Sequence, residues 1–394
     1  MGKTKTIFRC QECGYTAAQW MGKCPDCNQW NTFVEEKETK PSAGFGRSPA
    51  GTTTKLSSPA VLLHQVELQQ TTRWTTGIVE FDRILGGGIV PGSLSLVGGP
   101  PGIGKSTLLL QVIAKLAHAN KVLYVSGEES VQQVKLRAVR LGLPAEANEN
   151  LFFAAETDLD VIVNTIERLH PQFIVVDSIQ TMYSNNYVSA PGSVSQVRGC
   201  AVNLLNLAKN SGAAIFLLGH VTKEGNLAGP RVLEHLVDTV LYFDSEKQYV
   251  YRILRAHKNR FGPTSEVGVF QMKADGLHEV PNPSLLFLQE RNPTTSGTTV
   301  VATVEGTRAL LLEIQALVSP TTFSVPRRMV SGIDYNRMVL LLAVLEKRLN
   351  YHLETADVFL NIVGGMKVKE TAVDLGAVCA IASAWLDFVC PADV

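Results

Sequence analysis

A glycine-rich segment in the first half of the chain has the residue types and spacing of a phosphate-binding loop. It follows the pattern G-x4-G-K-[ST] between an apolar run and an amphipathic stretch, and consists of Gly99, Pro100, Pro101, Gly102, Ile103, Gly104, Lys105, Ser106 and Thr107. Glycines let backbone N–H groups curl around phosphates, and the amino end of the following helix adds partial positive charge. We therefore predict that this segment binds ATP, that Lys105 reaches the β- and γ-phosphates, and that Ser106 holds Mg²⁺.

Acidic side chains stand at the ends of two of the apolar runs. Asp177 ends the run FIVVD and is predicted to bind Mg²⁺ through water, with a helix cap as the alternative role. Glu128 and Glu129 follow the run KVLYVSG, where a carboxylate at the end of a parallel strand points into the ligand crevice. Glu128 is the preferred general base that polarises a water, Glu129 is the alternative, and one of the two is expected to cap the next helix.

A histidine ends a third apolar run. His220 follows AIFLLG and precedes the loop KEGNLAGPR. A polar side chain at such a strand end can sense the γ-phosphate and transmit its state to the loop beyond. We predict this sensor role for His220, and a structural histidine at a strand end is the alternative.

Four cysteines near the amino terminus have the spacing C-x2-C-x10-C-x2-C, and they are Cys10, Cys13, Cys24 and Cys27. Each C-x2-C pair lies on a tight turn that directs two thiolates to one point, and four thiolates suit tetrahedral Zn²⁺. All four ligands come from the protein, so the predicted zinc is structural. The alternatives are a redox CxxC pair or cysteines without metal. Three further cysteines, Cys200, Cys379 and Cys390, have no partner spacing and are predicted to be buried small hydrophobes.

The elements that must position these residues are visible in the apolar pattern. Between residues 61 and 285, short continuous apolar runs alternate with amphipathic stretches, which predicts an α/β domain with a parallel sheet covered on both faces. Residues 1–34 are predicted to form a zinc finger of the ribbon type. Residues 35–60 are rich in Pro, Gly, Ser and Thr and are predicted to be a flexible linker. Residues 286–394 are predicted to form a smaller α+β unit.

The composition limits the classes of protein. With 45% hydrophobic and 18% charged residues, a mainly disordered chain is excluded. Lys plus Arg equals Asp plus Glu at 36 each, so a surface that is basic all over is excluded, whereas a local basic channel is not. No apolar run reaches the roughly 18 residues of a membrane span, and the amino terminus lacks the apolar core of a signal peptide. We therefore expect a cytoplasmic protein without a membrane partner.

The order of these motifs resembles the bacterial RadA (Sms) family of DNA repair ATPases. The resemblance rests on the paired cysteines, the linker and the segments GGPPGIGKST, YVSGEES, FIVVDS, LLGHVTKEG and HKNRFG. The segment TTGIVEFDRILGGG, which precedes the phosphate loop, also resembles RecA-like P-loop ATPase cores. The resemblance implies an ATP-dependent DNA motor or helicase in homologous recombination and DNA repair, which drives branch migration on single-stranded and branched DNA. It also implies work alongside the strand-exchange protein RecA and a homo-oligomeric ring, expected to be a hexamer.

The pentapeptide KNRFG at 258–262 is the most specific marker of this resemblance. ATP lies between subunits in RecA-like assemblies, so the resemblance implies that Lys258 and Arg260 act on the γ-phosphate held by a neighbouring subunit. Contact with DNA phosphates and a plain basic turn are the alternatives.

Two loops of the core resemble the loops that face the central channel of RecA-like rings. Lys223 and Arg231 flank the first loop, and Tyr183 and Arg198 belong to the second. They are candidate DNA contacts, with tyrosine able to stack on bases. Ordinary surface loops are the alternative.

The last part of the chain resembles the proteolytic domain of Lon-type proteases, through EGTRALLLEIQALV and NIVGGMKVKETAVDLGAVCAIASAW. Ala372 stands where the nucleophilic serine of that domain would be, so the resemblance implies a proteolytically inactive domain. Family members continue beyond Val394, and we expect an incomplete Lon-like domain that exposes apolar surface and aggregates or stays mobile.

Two other functions compete with a DNA motor. A RecA-fold ATPase that acts on protein partners without DNA is favoured by the zero net charge and opposed by the zinc finger and KNRFG. An ATP-dependent protease is suggested by the Lon likeness and opposed by Ala372.

Overall fold

The computed structural model describes residues 4–10, 15–26, 28–39, 73–143, 149–187, 189–220, 232–244, 251–288, 291–363, 367–368 and 370–391. Cys13, Cys27, Lys223, Arg231 and most of the predicted linker lie outside these ranges. The chain divides into two compact units. One comprises Met1–Ser245, Arg252–Thr264 and Met272–Glu279, and the other comprises Glu246–Tyr251, Ser265–Gln271 and Val280–Val394.

A small antiparallel sheet forms the amino-terminal ribbon. Its strands are β1 (Thr4–Cys10), β2 (Thr16–Ala17) and β3 (Phe33–Thr39), in the order β2-β1-β3. Among the described residues of this ribbon, only Cys10, Cys24 and Phe33 are buried hydrophobic side chains. A core of this size does not hold so short a segment together alone, and small domains of this kind depend on a metal or a cross-link.

A nine-stranded sheet carries the nucleotide-binding motifs. Its strands are β4 (Leu94–Gly99), β5 (Val122–Ser126), β6 (Leu151–Ala155), β7 (Phe173–Asp177), β8 (Ala214–His220), β9 (Thr239–Phe243), β10 (Tyr251–Asn259), β11 (Val267–Lys273) and β12 (Gly276–Glu279). Their order is β12-β11-β10-β9-β4-β8-β7-β5-β6. The six strands from β9 to β6 pair in parallel, and β10 pairs antiparallel with β9. The predicted α/β core with a parallel sheet is therefore confirmed.

Helices cover both faces of this sheet. They are α1 (Val79–Ile84), α2 (Lys105–Leu116), α3 (Val131–Arg140), α4 (Leu159–Leu169), α5 (Val194–Ser211) and α6 (Val232–Leu236). Right-handed crossovers place α2 and α3 on one face and α4 and α5 on the other, because the chain runs outward from β4 to β6 and then returns to β8. All six residues of β4 are buried, as expected for a central strand covered on both sides.

The second unit contains a four-stranded mixed sheet and three described helices. The elements are α7 (Pro283–Leu288), β13 (Thr298–Glu305), β14 (Arg308–Pro320), β15 (Arg328–Ser331), α8 (Tyr335–Leu349), β16 (Ala356–Ile362) and α9 (Val373–Leu386), and the strand order is β13-β14-β16-β15. Ala372 precedes α9 directly. Helix α8 exposes apolar side chains, with Leu340 68% and Val344 53% exposed. None of the helices described here is long and apolar enough to cross a membrane.

Candidate nucleotide site and metal ribbon

Two equivalent turns in the ribbon begin at the described cysteines. The backbone N–H of Cys10 donates to the carbonyl of Tyr15, and the N–H of Cys24 donates to the carbonyl of Gln29, both at 2.8 Å. Both cysteines are fully buried. Repetition of one turn, with a buried thiol at its start each time, fits the ligand set predicted for Zn²⁺. The partner cysteines of the two turns, Cys13 and Cys27, lie outside the described residues.

The phosphate loop joins the carboxyl end of β4 to the amino end of α2. The side chain of Lys105 is buried, and its Nζ donates to the carbonyl oxygens of Gly99 at 2.8 Å and Pro100 at 3.1 Å. Gly104 has φ of +118°, and a Cβ there would lie 2.8 Å from the Cε of Met272. Glycine is therefore required where the loop enters the helix. Ser106 and Thr107 lie in the first turn of α2.

Asp177 ends β7 beside β5 and is 7% exposed. The hydroxyl of Tyr124, on β5, donates a hydrogen bond to its Oδ2 atom. Burial raises the pKa of Tyr124 well above its usual value, and the negative charge of Asp177 raises it further. The phenol therefore stays protonated and serves as a donor to the carboxylate. The hydroxyl of Ser106 and the carboxylate of Asp177 are oxygen donors of the kind that Mg²⁺ binds.

Glu128 contacts two polar side chains from neighbouring strands. The hydroxyl of Ser178 donates to Glu128 Oε1 at 2.6 Å, and His220 Nε2 lies 3.2 Å from the same oxygen. The other nitrogen of the imidazole, His220 Nδ1, lies 3.3 Å from Lys105 Nζ. An ammonium group only donates, so Nδ1 accepts and Nε2–H donates to the carboxylate. The structure thus brings Lys105, His220 and Glu128 together in one chain of contacts.

Glu129 takes a different direction from Glu128. Its carboxylate forms an ion pair with Arg137 on α3, and its backbone N–H donates to Ser126 Oγ at 2.9 Å. The amino-terminal cap of α3 is Ser130, in a capping box with Gln133. The expectation that one of the two glutamates caps this helix is therefore wrong, because Ser130 supplies the acceptor for the end of the helix.

Lys258 and Arg260 lie near the amino ends of the parallel strands, whereas the phosphate loop of their own chain lies at the carboxyl ends. Lys258 Nζ donates to the carbonyls of Glu234 and His235 at 2.7 and 3.1 Å. Partial burial lowers the pKa of Lys258, and the charge of Arg260 lowers it further. The register of β9 on β4 sets both side chains near the amino end of β4. Five residue steps along β4 separate that end from the loop, about 16 Å.

Arg260 forms an ion pair with the buried carboxylate of Asp238. Its Nη1 lies 3.2 Å from Asp238 Oδ1, and the Arg260 side chain is 56% exposed. Asp238 Oδ2 also accepts from the backbone N–H of Leu94 at 3.1 Å and from Lys209 Nζ at 2.9 Å. Asp238 therefore ties the start of the phosphate-loop strand to α5 and to the KNRFG segment.

The other residues of KNRFG have structural contacts within the chain. Asn259 is buried and donates from Nδ2 to the carbonyl of Ile84 at 3.3 Å. Gly262 packs against the backbone of Gly86, and a Cβ on Gly262 would lie 2.9 Å from the Cα of Gly86. These two positions set the conformation of the turn that carries Arg260.

The described candidates for DNA contact differ in their surroundings. Arg198 is exposed on α5. Tyr183 pairs through its backbone with the segment that starts α4, since the N–H of Leu159 donates to its carbonyl at 2.9 Å. The neighbouring charge of Asp158 raises the pKa of Tyr183. Arg198 is thus placed on the surface, whereas Tyr183 is in contact with the first turn of α4.

Three side chains of this region were not among the predicted site residues. Tyr124 belongs to an ordinary buried strand, Ser178 is a polar neighbour of the predicted metal ligand, and Asp238 stands outside every pattern identified above. Their contacts join residues that are 22 to 144 positions apart in the chain, as for Ser178 with Glu128, 50 positions apart. Such pairs cannot be predicted from the local sequence, because the partners come together only in the folded chain.

Two family models match this chain, one at the ribbon and one over the phosphate loop. The family model described as AAA domain matches residues 65–226, and the model described as rubredoxin metal binding domain matches residues 8–35. The chain is 53% identical to the DNA repair protein RadA of Bacillus subtilis, over 98% of this chain and 84% of that protein. It is 53% identical to the DNA repair protein RadA of Listeria monocytogenes, over 98% of this chain and 83% of that protein. A solved KaiC-like protein of Pyrococcus horikoshii is 20% identical, with a TM-score of 0.46 over 54% of this chain and 100% of that one.

Proposed function

The chain belongs to the family of the DNA repair protein RadA, with an ATPase domain and an amino-terminal metal-binding ribbon, and we propose that it is an ATP-hydrolysing motor on DNA. The observation that carries this proposal is the chain of contacts from Lys105 through His220 to Glu128. It joins a lysine suited to phosphates with a carboxylate suited to activating water.

The chemistry proposed for this site is attack of water on the γ-phosphorus of ATP. Glu128 accepts the proton of the attacking water, the bond from the γ-phosphorus to the bridging oxygen breaks, and ADP leaves with that oxygen. Lys105 offsets the negative charge of the β- and γ-phosphates. Ser106 and Asp177 would hold Mg²⁺, which when bound neutralises phosphate charge.

His220 is proposed as the sensor of the γ-phosphate. Its two nitrogens contact Lys105 and Glu128, so a change in the position of either side chain alters the hydrogen bonds of the imidazole. His220 is the last residue of β8, and the residues that follow it belong to the candidate DNA loop. Rearrangement of the imidazole would therefore reach that loop through the backbone.

Lys258 and Arg260 are proposed to act on ATP held by a neighbouring subunit. Their position near the amino ends of the parallel strands supports this, because within one chain it is far from the phosphate loop at the carboxyl ends. The half-exposed guanidinium of Arg260 is accessible to a second subunit. Contact with DNA phosphates is the competing role, and the exposure of Arg260 is compatible with it.

The partners proposed for the motor follow from the family. They are single-stranded and branched DNA, on which it would drive branch migration, the strand-exchange protein RecA, and further copies of the chain in a hexameric ring. The cellular location proposed is the cytoplasm. Candidate DNA contacts are the exposed Arg198, together with Tyr183, Lys223 and Arg231.

The test is ATP hydrolysis with and without single-stranded DNA at two salt concentrations. Wild type should be stimulated by DNA, and stimulation should fade with salt because phosphate contacts release counterions. Lys105→Ala should abolish turnover. Lys115→Ala is the matched control, since it removes a lysine of the same helix whose Nζ donates to the carbonyl of Gly77 at 2.7 Å. Turnover indifferent to DNA would refute the motor and favour an ATPase that acts on protein partners.

The neighbour-supplied role has its own test. Lys105→Ala subunits lack a lysine for their own ATP, and Arg260→Ala subunits lack the group offered to a neighbour. Mixed rings would contain some interfaces with both residues intact, so turnover should be partly restored. Absence of rescue at every mixing ratio, with both variants still assembling, would argue for the DNA role.

A further inference from the structure

Strands β5 and β7 exchange two side-chain hydrogen bonds at their carboxyl ends. Tyr124 of β5 donates to Asp177 of β7, and Ser178, directly after β7, donates to Glu128, two residues after β5. The two strands are parallel, with Ser126 opposite Asp177. Each strand therefore supplies one hydroxyl donor and one carboxylate acceptor, and the two acceptors are the residues assigned to metal binding and to water activation.

We propose that Tyr124 and Ser178 are positioning residues that divide this work, Tyr124 orienting Asp177 for the cation and Ser178 orienting Glu128 for the attacking water. The inference rests on the roles proposed for Asp177 and Glu128. Because Ser178 and His220 both contact Oε1 of Glu128, the oxygen that accepts the proton is Oε2.

Both donors are held rigidly. Tyr124 is fully buried, and its ring packs against Phe153 with 5.8 Å between centroids. Ser178 is also fully buried, and its carbonyl accepts from Thr181 Oγ1 at 2.8 Å. A hydroxyl whose carrier cannot move holds its carboxylate in one orientation, which is what a metal ligand and a general base require.

A purely structural reading of the same contacts makes a different prediction. If the two hydroxyls only satisfied buried carboxylates, removing either would lower stability and leave the dependence on Mg²⁺ and the rate of chemistry unchanged in the folded protein. The two interpretations are separated by measuring Mg²⁺ dependence and turnover in variants whose folding has been verified. A positioning role also predicts that substitution of Tyr124 and substitution of Ser178 have different effects.

The test for Tyr124 is a binding experiment with the full chain. Affinity for a fluorescent, slowly hydrolysed ATP analogue is measured while free Mg²⁺ is titrated. Tyr124→Phe should shift the Mg²⁺ midpoint upward by about 10–100-fold, the range found when a residue supporting a metal ligand is lost. Tyr242→Phe is the matched control, because Tyr242 lies in the same sheet and donates to the carboxylate of Glu234 at 2.9 Å.

The test for Ser178 is a steady-state experiment. Ser178→Ala should lower kcat by up to about 100-fold, since a misplaced catalytic group costs this much, and should leave analogue affinity and the Mg²⁺ midpoint within about twofold of wild type. Ser93→Ala is the matched control, because Ser93 is buried and donates to the carbonyl of Val90 at 2.6 Å. If Ser178→Ala does not fold, Ser178→Cys is measured in its place.

The outcomes separate the inference from the proposed function. A Mg²⁺ midpoint shifted in Tyr124→Phe, and a kcat lowered in Ser178→Ala with the midpoint unchanged, support the inference. Changes no larger than those of Tyr242→Phe and Ser93→Ala overturn it. Glu128→Gln is measured beside them, because full turnover in that variant would refute the role of Glu128 itself. Loss of turnover in Glu128→Gln with normal turnover in Ser178→Ala would refute only the inference.

Discussion

Replacement of Asp238 by alanine is the perturbation for which the structure specifies the cost most directly. The carboxylate is 1% exposed and accepts from the Leu94 N–H, Lys209 and Arg260. Leu94 is fully buried, so its N–H would lose its partner where water does not replace it, at about 1–3 kcal/mol. The two cations are 34% and 56% exposed, and screening reduces each pair to about 0–1 kcal/mol.

Asp238→Ala should therefore lower the free energy of unfolding by about 2–4 kcal/mol. For a unit of this size, that is a fall in Tm of about 5–15 °C. Asp238→Asn should cost less, because the amide oxygen still accepts from Leu94. The assay is calorimetric or circular-dichroism melting of the full chain, at low salt and at high salt.

Salt separates the two contributions. Ion pairs on exposed cations weaken at high salt, whereas the buried hydrogen bond to Leu94 does not, so most of the loss in Asp238→Ala should persist there. Lys209→Met is the control for the exposed part and should cost about 1 kcal/mol or less. A Tm of Asp238→Ala within 2 °C of wild type would refute the reasoning that this carboxylate anchors the phosphate-loop strand.

Three further outcomes are expected. Gly104→Ala should weaken binding of the ATP analogue at least about tenfold, measured by fluorescence titration, because its φ is +118° and a Cβ would lie 2.8 and 2.9 Å from two side-chain carbons. Glu129→Gln breaks only the pair with Arg137 and should leave turnover within about twofold, whereas Glu128→Gln should lower it by about 10²–10⁴-fold; equal losses would contradict the assignment. Burial raises the pKa of Cys200 to about 12, so the folded state keeps the thiol protonated. Because the thiol of the unfolded chain ionises above about pH 9, the free energy of unfolding falls as pH rises from about 9 toward 12. Iodoacetamide at pH 8.5 should therefore leave Cys200 unmodified in the native protein and alkylate it in guanidinium, as read by mass spectrometry.

The phosphate loop and its supporting strand were predictable because the signal is continuous in the chain. An apolar strand, a glycine-rich turn and an amphipathic helix form one local unit, and the structure has that unit as β4, the loop and α2. Cys200 is buried within the apolar pattern of α5, so the prediction of burial is confirmed for this residue. The same prediction is wrong for Cys379 and Cys390, which are only partly buried.

The fate of the two adjacent glutamates was less predictable. Both follow the same strand, and the prediction that one of them caps α3 is wrong because Ser130 stands closer to the start of the helix and provides the cap. Glu129 instead pairs with Arg137, two turns along the helix, while Glu128 meets Ser178 and His220. Adjacent residues on a turn diverge in direction, and backbone geometry selects which one enters the crevice.

Residue types and their local spacing were sufficient for the fold class, the phosphate loop, the ribbon cysteines and the acids that end the strands. The partners of those acids depend on strand order, because β5 and β7 become neighbours only when the chain leaves β4, crosses two strand positions and returns. The same strand order places Lys258 and Arg260 near the amino ends of the strands, away from their own phosphate loop, and pairs Arg260 with Asp238. Hydrogen bonds act over about 3 Å in space, whatever the distance along the chain, so these pairings exist only in the folded molecule.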